Sequence, residues 1–200
     1  LVVYESSSNE AATYKKFPMK KGETYSHDHA KNTIGVWLVD VPEDLAGKAY
    51  HYHVSFENQH FHTRDPYTIA TSPDGKRSAI VAEKDKTVPG FKVCQGKKAT
   101  WRLKNPNQAV IYEMHIRDLT KSSSSGVEES LRGTFLGACQ TGTRNRLRYK
   151  TGFDYICDLG INVVQLQPIS DRHKDYDENG KVTYNWGYDP QNYNAPETSF

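Results

Sequence analysis

Cysteine is scarce in this chain of 200 residues. Its three residues, Cys94, Cys139 and Cys157, cannot all pair and fall in no metal-ligand spacing. That excludes a small scaffold built on disulfides, and it fits a reducing compartment better than an oxidising one, so a cytoplasmic location is favoured over a secreted one. Long apolar runs are missing too: no stretch approaches the ~20 residues of a membrane-spanning helix. Leu1-Val2-Val3-Tyr4 has neither the basic start nor the small-residue cleavage site of a signal peptide and reads as the end of a strand. Neither sign of charge dominates, since the net charge is only +2. The pairs Lys15-Lys16, Lys20-Lys21 and Lys97-Lys98 therefore read as solvated surface, and no nucleic-acid stripe is expected. The first residue is not methionine, so the segment is expected to begin inside a longer protein.

What the chain has in quantity is aromatic rings, 12% of residues with thirteen tyrosines. That richness suits β-structure and contact with carbohydrate. In the first hundred residues the pattern is that of short strands. Ile34–Val41 is β-rich, and Pro42–Lys48 makes a turn. Ala49-Tyr50-His51-Tyr52-His53-Val54-Ser55-Phe56 alternates over a full strand length, and Glu57–His60 supplies a hairpin loop. Ser72-Pro73-Asp74-Gly75-Lys76 turns into another short strand at Ser78–Val81, while Ser6–Asn32 reads as a long polar loop. Short strands with polar turns predict a small β-sandwich over residues 1–105. Trp37, Tyr50 and Tyr52 are expected to be core or sheet residues rather than ligand contacts.

From Gln108 the pattern changes. Ala109–Leu119 reads as one strand, and Thr120–Ser130 as a flexible Ser- and Gly-rich loop. Gly152–Gly160 reads as a helix with Phe153, Ile156 and Cys157 on one stripe, Cys157 as a small buried thiol, and Gly160 as its stop. Ile161–Pro168 is a β-branched strand closed by proline. Strand, helix and strand make a βαβ unit with parallel neighbours. Three apparent sites dissolve on inspection. Asp175–Gly180 imitates the start of an EF-hand loop, but Trp186 occupies the position of its bidentate Glu, and a hairpin with an Asn179-Gly180 turn fits better. His51, His53, His60 and His62 alternate on strands with no Cys or carboxylate completing a set, so they read as exposed sheet histidines. Nothing activates Ser122–Ser125 as a nucleophile.

The most specific string is Tyr184-Asn185-Trp186-Gly187-Tyr188-Asp189-Pro190. It resembles the signature of type I pullulanases, α-1,6-debranching enzymes of the α-amylase superfamily (glycoside hydrolase family 13). Val36–Val39 with Leu45–Val54, then Asp65-Pro66-Tyr67 and Gly75–Ser78, is similar to the starch-binding-type β-sandwich that precedes the barrel in debranching and branching enzymes. Tyr112–Asp118, Gly133–Gly137, Thr151–Ile156 and Val163–Pro168 resemble the first strand, loop, helix and second strand of that barrel.

The resemblance implies an immunoglobulin-like sandwich over 1–105, then over 106–200 the start of a (β/α)8 barrel. Such a barrel takes about 250 residues, so this chain does not complete one. It implies an α-glucan substrate (pullulan, amylopectin or limit dextrin), cleavage with retention by three carboxylates that would all lie beyond Phe200, and no organic cofactor. The rest of the barrel would be the chain's partner; no membrane and no calcium site is indicated. Tyr188 would stack under the sugar beside the scissile bond. Asp189 would bond sugar hydroxyls or hold the loop, the first being favoured. Asn185, Trp186 and Gly187 would support the loop, and Glu113 and Asp118 would be structural. Two alternatives remain: a non-catalytic α-glucan-binding or structural module, or a piece of an isoamylase-type or branching enzyme.

Overall fold

A computed structural model describes residues 1–28, 30–86 and 103–200. The chain divides into two compact units, Leu1–Thr87 with Asn192–Ala195, and Val88–Gln191 with Pro196–Phe200. The predictions for Cys94 and Lys97-Lys98 lie outside the described residues.

The first unit is built on strands. β1 (Val2–Tyr4) lies between β2 (Thr13–Lys16) and β5 (Ala49–Phe56), and all its pairings are antiparallel. β3 (Lys20–Lys21) and β4 (Trp37–Leu38) form a separate antiparallel pair. β6 (Gln59–Thr63) continues the hairpin from β5, and β7 (Ser78–Ala79) also pairs with β5. Val2, Val3 and Ala49 are the buried apolar residues of this sheet. β5 spans the residues its alternation predicts. The polar stretch 6–32, expected as loop, instead contributes β2 and β3. All four residues of β2 are exposed, so backbone pairing with β1 holds them, and side-chain pattern could not reveal it. Of the predicted 34–41 strand only Trp37–Leu38 forms a strand, Ile34 making an isolated bridge to Gly22, and Trp37 is 61% exposed. Tyr50 and Tyr52 both donate to Asp65 Oδ2, at 2.5 and 3.3 Å.

The second unit opens with β8 (Ile111–Met114), which ends where α1 (Ile116–Thr120) begins. The predicted single strand 109–119 is thus two elements. His115 ends the strand, because its side chain accepts the Arg117 amide and caps the helix. The serine-rich stretch is not free loop: it makes short 3-10 turns and buries Ser125 and Val127. α2 (Phe135–Ala138) and α3 (Gly152–Asp158) come next, with Gly160 in the left-handed region just past the end of α3. On α3 only Ile156 of the predicted stripe is buried; Phe153 and Cys157 are exposed, which corrects the reading of Cys157 as a buried thiol. β9 (Val163–Leu166) runs parallel to β8, with Ile111 opposite Val163 and Met114 opposite Leu166. Ile111, Val164 and Leu166 remain 57%, 44% and 42% exposed, so the pair presents apolar surface that a larger parallel sheet would cover. β10 (Ser170–Arg172) and β11 (Pro190–Pro196) flank the aromatic segment. Ile116, Ala138 and Phe200 form the core of this unit, with Met114, Leu119 and Phe135 packed on it. The strands of the described residues close no barrel.

Candidate functional site

β8 and β9 end side by side: the Gln167 amide donates to the Met114 carbonyl at 2.9 Å. Just beyond these strand ends, His115 and Pro168 hold the segment 184–190. Gly187 sits at φ +94°, and a Cβ there would lie 2.9 Å from the Pro168 carbonyl oxygen. Only glycine fits both the angle and the approach. Asn185 closes the turn, with Oδ1 accepting the Gly187 amide at 2.7 Å and Nδ2 donating to Asp189 Oδ2 at 3.0 Å. We therefore expect Gly187→Ala to destabilise this loop by about 1–3 kcal/mol. Loss of amide protection confined to 184–189 would show it, and unchanged protection would contradict the strain.

His115 is the anchor from below. Its Nδ1 accepts a backbone amide, so the proton of the neutral ring is on Nε2, which donates to the Asn185 carbonyl at 3.3 Å. The ring is 4% exposed and makes an edge contact with Phe200. Tyr184 donates to Asp118 Oδ2 at 3.0 Å, and Arg117 both pairs with Asp118 and lies over the Tyr184 ring. Burial and the Asp118 bond hold the Tyr184 hydroxyl above its ordinary range, so it stays a donor at neutral pH. Tyr188 donates to Glu113 Oε1 across 3.4 Å, a loose tether that leaves the ring 64% exposed.

The five residues singled out in the sequence thus stand together. Asn185 and Gly187 form the turn, and Asp189 is bonded to Asn185 within it. Tyr188 and Trp186 present their rings outward, Trp186 at 60% exposure. Glu113 and Asp118, expected to be structural, hold the hydroxyls of Tyr188 and Tyr184. His115 was missed: histidine is not among the favoured N-cap residues, so its sequence carries no capping signal. The predicted hairpin precedes the loop: Tyr176 bridges Val182, and the Gly180 amide donates to the Asp177 carbonyl. Among the described residues no group of three His, Cys, Asp or Glu side chains is placed to hold a metal ion. A row of exposed aromatic rings, braced by carboxylates and a buried imidazole, can stack on apolar faces of a ligand and bond to its hydroxyls.

No family model matches the chain. A pullulanase of Bacillus subtilis (strain 168) is 30% identical over 201 residues, covering 99% of this chain and 26% of the relative. The chain is homologous to the pullulanases. A pullulanase of Paenibacillus barengoltzii, solved with maltotriose, matches this pullulanase homologue with a TM-score of 0.79 and 35% identity, over 98% of this chain and 28% of its own. The pullulanase from Bacillus acidopullulyticus gives 0.77 and 34%, over 98% and 22%. The chain spans about a quarter of the length of these relatives.

Proposed function

We propose that this chain is part of a debranching glycoside hydrolase that cleaves α-1,6-glucosidic bonds in pullulan, amylopectin and limit dextrins with retention. In this reading residues 1–105 form an immunoglobulin-like sandwich and residues 106–200 the opening of a (β/α)8 barrel. The nucleophile, the acid/base and the transition-state carboxylate come from the remainder of the polypeptide. Tyr188 and Asp189 supply one wall of the sugar pocket. The observation that carries the reading is the position of the 184–190 loop, at the C-terminal ends of two parallel strands, where such barrels build their active sites. The apolar faces of β8 and β9 support it as well, since neighbouring strands would bury them.

The expected result is that the 200-residue chain alone releases no reducing sugar from pullulan, whereas the intact polypeptide does, with the α-anomer formed first. Turnover by the chain alone, or an intact polypeptide inert on α-1,6 links, would overturn the proposal. A second reading, a non-catalytic α-glucan-binding module, is favoured by one feature of the first unit. There Phe17, Trp37, Tyr52 and Val54 line an open groove of about 680 Å³. The two readings are compatible, one describing the intact polypeptide and the other this chain alone, and binding of α-glucan by the chain alone tests the second.

A further inference from the structure

All four histidines of the β5–β6 hairpin stand on one face of it. His53 pairs with His62 and Ser55 with His60, and His51 lies two residues before His53. The sequence reading of exposed sheet histidines holds for His53, His60 and His62. His51 is 7% exposed. Its Nε2 lies 2.6 Å from His62 Nδ1, and its Nδ1 lies 3.0 Å from the Tyr4 hydroxyl. The His53 ring stacks on His62 at 4.8 Å, and His60 meets His53 edge-on at 5.5 Å.

We propose that this histidine face is an acid-sensitive clasp, which holds β6 to the sheet at neutral pH and releases it as protons are taken up. The geometry supplies both halves of the device. A hydrogen bond between two imidazoles needs one N–H and one lone pair, so the His51–His62 pair tolerates one extra proton and is broken by a second. The other groups bearing on the cluster offer no compensation. Arg77 from the 72–78 turn, Lys16 from β2 and the Leu1 amino group are cations, and Tyr4 from β1 is neutral. The released part is also cheap to release, because among the described residues β6 pairs only with β5 and all five of its residues are exposed.

Burial first, then His62, Arg77 and His53, push His51 down to about 4, and burial with His62, His60 and Lys16 lowers His53 as well. The open hairpin therefore binds protons from about pH 6.5 downward that the closed one refuses. Closure is at full strength above that pH and weakens as pH falls toward 4.

The test is amide exchange of β6 in the 200-residue chain between pH 7 and 5, corrected for intrinsic rates. The expected result is a loss of protection of at least tenfold, while Val2, Val3 and the β8–β9 pair keep theirs. The loss should shrink below threefold in His51→Gln/His62→Gln. In His62→Gln alone, which spares the buried ring, it should be smaller than in the unsubstituted chain. Constant protection of β6 would overturn the clasp. So would a simultaneous loss across β1 and β2, which is ordinary acid unfolding, or an undiminished loss in His62→Gln.

Discussion

Replacing Tyr188 with alanine should, on the proposed function, lower kcat/KM on pullulan about 100-fold in the intact polypeptide, which corresponds to ~2.7 kcal/mol of transition-state stabilisation. The ring is 64% exposed and, among the described residues, its hydroxyl bonds only to Glu113 across 3.4 Å, so the fold loses little when it goes. What goes is a flat apolar platform held on a loop whose turn admits only glycine. On the proposed function, a sugar ring resting on it would be positioned for attack by carboxylates in the rest of the polypeptide, and misplacement by about 1 Å alone can cost that factor. Tyr188→Phe separates the ring from the hydroxyl. It removes the Glu113 bond, keeps the platform, and should stay within about threefold of the parent. Near-normal hydrolysis by the alanine variant, with unchanged melting, would remove Tyr188 from the pocket.

The aromatic loop was legible because its information is local. The Gly187 turn, the Asn185 bonds and the row of rings all lie within seven residues. β5 was legible for the same reason: alternation along one strand records which face is covered. Most of what escaped depended on residues far apart. β2 is exposed throughout and exists only because β1 pairs with it, which no side-chain pattern encodes. β8 was read too long because Ile116 and Leu119 continue an apolar run; the strand stops because the His115 imidazole takes a backbone amide. The clustered histidines were visible as an alternating pattern. Burial of His51 was not, since it arises from Val2 standing opposite it and from the Tyr4 hydroxyl bonded to its ring. Asp171, Arg172, Lys174 and Glu197 carried no sequence signal of burial, because a polar composition there conceals an interior.

Glu197→Ala should destabilise the second unit by about 3–5 kcal/mol, the cost of stranding buried charge. Asp171, Arg172, Lys174 and Glu197 are all buried. Lys174 pairs with Asp171 and lies 3.5 Å from Glu197, while Arg172 Nε stands 3.9 Å from the same carboxylate. Among the described residues Arg172 Nε has no hydrogen-bond partner, and the guanidinium faces the Phe200 ring at 5.7 Å. Glu197 also accepts the amides of Arg172 and Ser199, at 3.2 and 2.8 Å. Without it, two buried cations share one carboxylate, and two amides lose their acceptor. Glu197→Gln restores the acceptor but not the charge and should cost less, about 1–3 kcal/mol. Burial pushes the Glu197 carboxyl up, but the Ser199 bonds and the Lys174 charge outweigh it and leave it below its ordinary value. Its stabilisation is therefore complete above the usual carboxylate range and is lost as pH falls through the lowered value. The alanine variant should accordingly lose the acid limb of the stability profile that the parent shows. Urea midpoints across pH 3–7 test both statements, and a loss under 1 kcal/mol would mean that water already reaches this cluster. The consequence reaches the loop, because the Glu197 amide donates to the Ile169 carbonyl and the His173 amide to that of Asp189. The two bonds frame the segment that carries Tyr188. On the proposed function, loosening them should lower turnover of pullulan by the intact polypeptide, although none of the four charges lies in the 184–190 loop.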